Sequence, residues 1–271
     1  MLSPICRNYW WSGVSVSWKV TVRGTPGEPV AIVTGVSRGL GAALATELYG
    51  RGFTVLGIGR STNPALKGDG DRYRFAKFDL GDSAAIDRLL ASAFEDLKAR
   101  QPASVCLVNN AASVDSIGIL GRLAADEITS ALATNLTAAV ALANLFCRVF
   151  TDSELPRRVI NVSSGAAETA LPGEAVYCVA KAGIEMLTRA LAAEQQAPRF
   201  RAITLRPGVM DTDMQAFARS QPADVLPVVE LFKGFQRDGR LVAPEVVATK
   251  IVARLVVGDI DHGRTYSYQE L

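Results

Sequence analysis

The chain has 271 residues, of which 49% are hydrophobic and 21% are charged, and its formal net charge is +2. This length fits one large α/β domain with a well-buried core, and the small net charge argues against nucleic acid as a partner. No uninterrupted apolar run reaches the roughly 18 residues that span a membrane, so we expect no membrane partner.

Residues 1–28 differ in character from the rest of the chain. They contain all three tryptophans, Trp10, Trp11 and Trp18, and they lack the basic start, apolar centre and cleavage site of a signal peptide. We therefore predict an N-terminal extension over 1–28, flexible or loosely docked, with a weak strand at 14–22. A single domain is predicted over 29–271.

The domain opens with an apolar strand at 30–34, followed by a glycine loop and an apolar helix at 42–49. The loop has the pattern Gly-x-x-x-Gly-x-Gly, formed by Gly35, Gly39 and Gly41. Strand, glycine loop and helix in this order are typical of a dinucleotide fingerprint. The glycines would permit a tight turn, close approach of a pyrophosphate to the helix N-terminus, and close packing of helix on strand.

The second predicted strand, at 53–58, ends in Arg60 and Ser61. An NAD site usually places an acidic residue there, whereas arginine accommodates the 2′-phosphate of NADP. After this strand no acid occurs before Asp69, and Arg38 adds a second cation in the glycine loop. The pattern favours NADP(H); the alternative is that both arginines are simply solvated.

Further strands are predicted at 73–78, 104–108, 159–162, 201–205 and 265–268. Helices are predicted at 82–100 with Asp82 as its cap, at 124–150, from 174 onward, and at 244–257. This alternation predicts an α/β, Rossmann-type, doubly wound fold: a seven-stranded parallel sheet in a three-layer α/β/α arrangement. Because the helix at 124–150 is apolar around much of its circumference, we expect a homo-oligomer, a dimer or a tetramer.

A second motif lies after the predicted strand at 159–162. Ser164 follows the strand, and Tyr177 and Lys181 are four residues apart on the next helix, hence on one face. An ammonium ion near a phenol lowers its pKa from about 10, which suits Tyr177 to general acid–base chemistry. Ser164 could donate a hydrogen bond to a substrate carbonyl oxygen. We predict that Glu168 and Glu174 are surface charges or a helix cap.

Taken together, these motifs resemble the short-chain dehydrogenase/reductase family from residue 30 to the C-terminus. The matching residues are Thr34, Gly35, Gly39, Gly41, Asp79, Leu80, Asn109, Asn110, Ala111, Ala112, Asn135, Ser164, Tyr177, Lys181, Pro207, Gly208 and Thr212. The resemblance implies that Tyr177 is the general acid, that Lys181 holds the nicotinamide ribose, and that Ser164 orients the carbonyl. It also implies that Asn135 holds a water that links Lys181 to solvent.

The fingerprint and the resemblance together predict the cofactor contacts. The residues are Gly35, Ser37, Arg38, Gly39, Leu40, Gly41, Arg60, Ser61, Asp79, Leu80, Asn109, Asn110, Ala111, Tyr177, Lys181, Pro207, Gly208, Val209 and Thr212. Within this set the resemblance places Thr212 at the nicotinamide carboxamide and Asn109 on the adenosine side.

The C-terminal third resembles the sepiapterin reductase and benzil reductase branch of the family. The signals are the segments 211–215, 239–244 and 263–268. The acidic residue that anchors the pterin in sepiapterin reductases corresponds to Ser267, which favours a ketone or vicinal diketone as the substrate. We expect the loop 165–172 and the segment 210–236 to wall the substrate pocket.

The function predicted from the sequence is NADPH-dependent reduction of a carbonyl compound, with Tyr177 as proton donor. One alternative is an alcohol, hydroxyacyl or steroid dehydrogenase. Another is an NADP-sensing regulator without turnover, which would be expected to have lost Tyr177 or Lys181. The cysteines (Cys6, Cys106, Cys147 and Cys178) form no C-x-x-C pair, which predicts a cytoplasmic location. No metal-ligand spacing occurs, so no metal is expected.

Overall fold

The computed structural model describes residues 27–66 and 70–271. The predicted strand at 14–22 and nearly all of the predicted extension lie outside this part of the chain, so both stay predictions. At the start of the described chain, the N–H of Gly27 donates to the Gln101 carbonyl (3.2 Å) and that of Val30 to the Ser104 carbonyl (2.8 Å). The chain is therefore fixed to the sheet from its first strand.

Seven parallel strands form one sheet. They are β1 (Val30–Thr34), β2 (Thr54–Gly59), β3 (Tyr73–Lys77), β4 (Val105–Asn109), β5 (Arg157–Val162), β6 (Phe200–Arg206) and β7 (Thr265–Ser267). Their order in the sheet is β3-β2-β1-β4-β5-β6-β7, which confirms the predicted doubly wound topology. The order reverses between β1 and β4, where such sheets bind ligands beyond the carboxyl ends of their strands.

Helices cover both faces of the sheet. They are α1 (Gly39–Gly50), α2 (Ile86–Ala99), α3 (Ala125–Leu132), α4 (Ala138–Val149), α5 (Ala175–Glu194), α6 (Asp213–Arg219), α7 (Val229–Arg237) and α8 (Pro244–Ile251). Successive strand residues supply the two faces, because side chains alternate along a strand. Ile32 packs with Phe94 of α2 and Phe146 of α4, whereas Val33 packs with Leu44 of α1 and the α8 side chains. The result is the predicted three-layer arrangement.

The prediction that Asp82 caps the second helix is wrong. A 3₁₀ turn, Ser83–Ala85, precedes α2, and the Asp82 side chain makes no capping hydrogen bond. The Asp79 carboxylate accepts instead from the N–H of Gly81 (2.9 Å). This local turn provides a hydrogen-bond acceptor for the backbone N–H of Gly81 after β3, and the α-helix begins only after the 3₁₀ turn.

The predicted helix at 124–150 is interrupted by a π turn, Ala133–Thr137, between α3 and α4. Such turns occur often at functional sites, and this one carries Asn135. The segment Ala125–Val149 is long and apolar enough to cross a membrane, but a core helix of a soluble protein passes the same test. Here Leu142 and Phe146 lie in the core between the sheet and α2.

Candidate active site

The glycine loop after β1 forms an open cradle at the start of α1. Gly35 (φ +73°) and Gly39 (φ +55°) adopt the left-handed conformation that favours glycine. A Cβ on Gly41 would collide with the Gly35 carbonyl oxygen and the Asn110 amide. The N–H groups of Gly39, Leu40 and Gly41 find no acceptor in the described chain, and no side chain caps the helix. Free N–H groups at a helix N-terminus bind anions, phosphate above all.

The end of β4 braces this cradle through Asn110 rather than Asn109. The backbone N–H groups of Asn110 and Ala111 both donate to the Thr34 hydroxyl (2.9 Å each), and the Asn110 amide donates to the Thr34 carbonyl (2.9 Å). The Asn109 side chain is buried instead, and its amide donates to Asn161 Oδ1 (2.8 Å). Asn109 thus faces the interior behind the sheet edge.

The two predicted cations have different surroundings. A Cβ on Gly59 would lie 3.8 Å from Gly35 N, so the exposed Arg60 and Ser61 follow directly beside the glycine loop. Within residues 27–66 and 70–271, Arg60 pairs with no carboxylate. Arg38, in contrast, forms an exposed ion pair with Asp213 at 3.1 Å. Of these two arginines, Arg60 is therefore the one without a carboxylate partner among the described residues.

The segment after β6 lies against the other side of the cradle. Gly208 (φ +79°), between Pro207 and Val209, packs on the Tyr268 ring. Thr212 caps α6 by accepting from the Gln215 N–H (3.4 Å), and its methyl group would lie 3.4 Å from a Cβ on Gly39. An open cleft of about 360 Å³ lies between the glycine loop, this segment and the start of α8. Its lining residues are Arg38, Gly39, Asp211, Thr212, Asp213, Ala243, Pro244 and Glu245.

Ser164, Tyr177 and Lys181 come together as the sequence predicts. The Lys181 ammonium lies 5.5 Å from the centroid of the Tyr177 ring and donates to the Val162 carbonyl at 2.8 Å. Lys181 is 3% exposed, and this burial lowers its pKa to about 8. The Ser164 hydroxyl is close enough to the phenol to influence its pKa.

The expected fall in the Tyr177 pKa is wrong for this state of the protein. Burial of the phenol raises its pKa well above the ordinary value, and the carboxyl of Glu174 raises it further, although Ser164 opposes both. The ammonium of Lys181 is directed at the Val162 carbonyl and does not offset these effects. The phenol is therefore fully protonated at neutral pH, as a proton donor must be.

A small internal cavity of about 10 Å³ lies behind Lys181, close to the volume that one water occupies. It is lined by Thr34, Leu80, Asn109, Ala111, Thr134, Asn135, Ala138, Ala139, Leu142, Val162, Lys181 and Ile184. The Asn109 Oδ1 atom is buried without a partner, and one water here would satisfy it. The Asn135 side chain is already paired with the backbone N–H and carbonyl of Ser113 (2.7 and 2.8 Å).

Sequence reasoning missed an ionic network beside the site. Arg206 at the end of β6 donates to both oxygens of Glu185 (2.8 Å each) and pairs with Glu168 at 2.7 Å. The Ser163 hydroxyl also donates to Glu185 (2.9 Å). The available signal was the spacing of Glu185, four residues after Lys181 on one helix face. This network ties α5 and the loop after Ser164 to the sheet.

The prediction that Glu174 is a surface charge is wrong, since the residue is 4% exposed. It occupies the predicted N-cap position of α5, but its side chain makes no capping hydrogen bond. Burial raises its pKa to about 7. Two distant segments enclose this part of the chain: the Gly118 N–H donates to the Gly173 carbonyl (2.8 Å), and a Cβ on Gly173 would lie 2.8 Å from the Val225 carbonyl oxygen.

The segment 210–236 forms α6 and α7 and covers this side of the domain. Its own small core consists of Ala218, Leu226 and Val229, with Phe232 packed against them. Phe217 and Leu231, which the sequence suggested as pocket walls, are each 45% exposed. We call the segment 210–236 the lid. Some of its apolar residues pack in its small core, and others are exposed.

Residues 29–223 match the family model of the short chain dehydrogenases. The chain belongs to this family. As a short-chain dehydrogenase it is an oxidoreductase, and the fold and the order of its motifs agree with the resemblance seen in the sequence.

Relatives of this short-chain dehydrogenase include several reductases. It is 31% identical over 242 residues to benzil reductase ((S)-benzoin forming) of Bacillus subtilis, with 88% of this chain and 98% of the relative covered. It is 32% identical to the sepiapterin reductase of Xenopus tropicalis, with 84% and 92% covered. A 3-oxoacyl-[acyl-carrier protein] reductase from Brucella melitensis, solved in complex with NAD, is 26% identical with a TM-score of 0.73, and 89% and 95% are covered.

Proposed function

We propose that this short-chain dehydrogenase is an NADPH-dependent reductase that converts a ketone or vicinal diketone to an alcohol. The observation that carries the proposal is the grouping of Tyr177 with Ser164, whose hydroxyl is near the phenol, and with the buried Lys181 ammonium, which lies 5.5 Å from the centroid of the ring. Similarity to benzil and sepiapterin reductases supports carbonyl compounds as the substrate class. Within the described residues, Cys106, Cys147 and Cys178 form no disulfide, which fits a cytoplasmic location.

The residues of the cradle fit a dinucleotide. The free N–H groups of Gly39, Leu40 and Gly41 would hold the pyrophosphate, and Arg60 would hold the 2′-phosphate. The missing Cβ atoms of Gly35 and Gly41 let the loop, α1 and Asn110 pack closely. At Gly39 the nearest atom to an added Cβ is the Thr212 methyl group at 3.4 Å, so the backbone there is open to a phosphate. When bound, the nicotinamide cofactor supplies the hydride.

The chain's own residues would then transfer a proton to the substrate. Tyr177 donates its proton to the substrate oxygen as negative charge develops there, and the Ser164 hydroxyl stabilises that charge with a hydrogen bond. Lys181 stands behind the phenol, next to the one-water cavity that Asn135 also lines. A water in this cavity would connect the ammonium with the π turn and return a proton to the site.

The test is oxidation of NADPH with benzil, a second vicinal diketone, sepiapterin and an acetoacetyl thioester. We expect turnover of the diketones. Turnover of secondary alcohols with NADP⁺, and of no carbonyl compound, would replace the proposal with the dehydrogenase alternative. Binding of NADPH without turnover of any compound would favour the regulator.

Replacing Arg60 by alanine should raise the KM for NADPH about 10- to 100-fold and change the KM for NADH less than about twofold. The reason is the loss of a charge-assisted contact with the 2′-phosphate, worth about 1.5–3 kcal/mol. Steady-state kinetics with both cofactors measure the effect. The matched control is Arg148→Ala, which removes an exposed cation of α4 that pairs with Asp87 of α2. Equal losses for NADPH and NADH in Arg60→Ala would refute the 2′-phosphate assignment.

We also propose that two copies pair through α4 and α5. Val140, Val179 and Met186 are 42–61% exposed on these helices, and Val179 and Met186 are seven residues apart on one face. The double change Val179→Glu and Met186→Glu should convert a dimer or tetramer to a smaller species in light scattering. Val246→Glu, at an equally exposed position on α8, should leave the mass unchanged, and an unaltered mass in the double variant would contradict the interface.

A further inference from the structure

Glu174 is a buried acid that the mechanism above does not use. Its side chain is 4% exposed, and its carboxyl has neither a capping hydrogen bond nor an ion-pair partner in the described part of the chain. Burying a carboxyl without a partner is costly, and burial is the only cause that raises its pKa to about 7. An unpaired buried carboxyl lowers the stability of the folded protein, so its presence beside the reactive phenol indicates a functional role.

Glu174 lies beside the phenol that delivers the proton. It occupies the N-cap position of α5, and Tyr177 is the third residue of that helix, so both belong to the first turn, where side chains at these two positions approach each other. The carboxyl is near enough to raise the pKa of the phenol. A substrate oxygen that receives the proton of Tyr177 therefore lies within one helical turn of this carboxyl.

Among the described residues, no charge from a neighbouring element compensates Glu174. The loop at Gly118 carries Asp115 and Arg122, the lid carries Asp224, and all three side chains are exposed. The loop after β5 carries Glu168, which is exposed and paired with Arg206. None of these groups shifts the pKa of Glu174. On α5, the carboxyl of Glu174 raises the pKa of Tyr177, and the thiol of Cys178 raises it as well.

We propose that Glu174 is a specificity-determining residue that selects vicinal dicarbonyl substrates, because its protonated carboxyl donates a hydrogen bond to the second carbonyl oxygen while Tyr177 and Ser164 hold the first. This inference rests on the proposed reductase function and names its substrate class. Two oxygens on adjacent carbons can meet two donors that are one helical turn apart. Once ionised, Glu174 has no proton to donate and repels the second oxygen.

The inference predicts a preference that depends on pH. Below pH 7 the carboxyl is mostly protonated and favours the dicarbonyl; above pH 7 it is mostly ionised and disfavours it. A monoketone of the same shape has no second oxygen and is insensitive to this change. The ratio of kcat/KM for the two substrates also cancels the titration of Lys181 and of the phenol, which act on both equally.

The experiment compares benzil with deoxybenzoin, which has the same two rings but one carbonyl, as substrates of the full-length protein with NADPH between pH 5.5 and 8.5. The proteins are the wild type, Glu174→Gln, Glu174→Leu and the control Glu95→Gln, which removes an exposed carboxylate on α2. In the wild type and the control, we expect the benzil/deoxybenzoin ratio of kcat/KM to fall about fivefold from pH 6 to pH 8. Losing one hydrogen bond of about 1.4 kcal/mol is a tenfold effect, and with a pKa of about 7 about a tenth of the carboxyl is still protonated at pH 8.

Glu174→Gln keeps an N–H donor at every pH, so its ratio should stay high and flat, whereas the Glu174→Leu ratio should be low and flat. A ratio in Glu174→Leu that equals the wild-type ratio at every pH, with both ketones still reduced, would overturn this inference and leave the proposed reductase function intact. If the wild type reduces neither compound, the proposed function fails and this inference fails with it.

Discussion

Tyr177→Phe should lower kcat for carbonyl reduction by about 10²- to 10⁴-fold, the typical contribution of a positioned general acid. The variant keeps the ring beside Lys181 and removes only the proton that the buried phenol carries at neutral pH. The Kd for NADPH should change less than about threefold, because the cradle is untouched. Single-turnover kinetics and fluorescence titration with NADPH measure the two quantities.

The matched control for this change is Tyr266→Phe. Its hydroxyl accepts from the N–H of Asp261 (2.8 Å) near the C-terminus, so its loss should leave kcat within about twofold of the wild type. A Tyr177→Phe protein with wild-type kcat would show that another group donates the proton. Glu174, the nearest other acid of raised pKa, would be the first to test.

The fold could be predicted because its strands are short apolar runs with glycine and polar residues at their ends. Val30–Thr34 is buried throughout, and a parallel strand covered on both faces needs such a continuous run. The π turn around Asn135 was not predictable in the same way. One extra residue in a helical turn rotates the positions after it by about 100° around the axis. Because this segment is apolar around much of its circumference, the rotation leaves no visible break in its pattern.

The candidate site was predicted at the level of residues and not at the level of their interactions. The spacing of Tyr177 and Lys181 fixed their common face, but the carbonyl that binds the ammonium belongs to Val162, nineteen residues earlier. Glu174 is a clearer case. An acid before a helix is usually a solvated cap, and nothing near it in the sequence shows that Gly118 and Val225 close over this turn.

The same burial predicts a pH-dependent stability. Because the pKa of Glu174 is raised from 4.5 to about 7 on folding, folding favours the protonated form. Its favourable contribution is fully present below pH 4.5 and is lost as the pH rises through 7. The difference between the two pKa values is equivalent to about 3 kcal/mol. Glu174→Gln cannot ionise, so its free energy of unfolding should exceed that of the wild type by a margin that grows toward about 3 kcal/mol from pH 5 to pH 8.

Urea unfolding of both proteins at pH 5, 6, 7 and 8 measures this margin, and every other titrating group contributes equally to the two curves. Glu95→Gln, in which an exposed carboxylate is removed, should show a margin near zero at each pH. A margin for Glu174→Gln that does not change with pH would mean that the carboxyl is already ionised at pH 5 in the folded protein. The dicarbonyl preference would then lose its proton donor, whereas a margin that grows with pH, together with a falling benzil preference, would identify one buried proton as the cause of both.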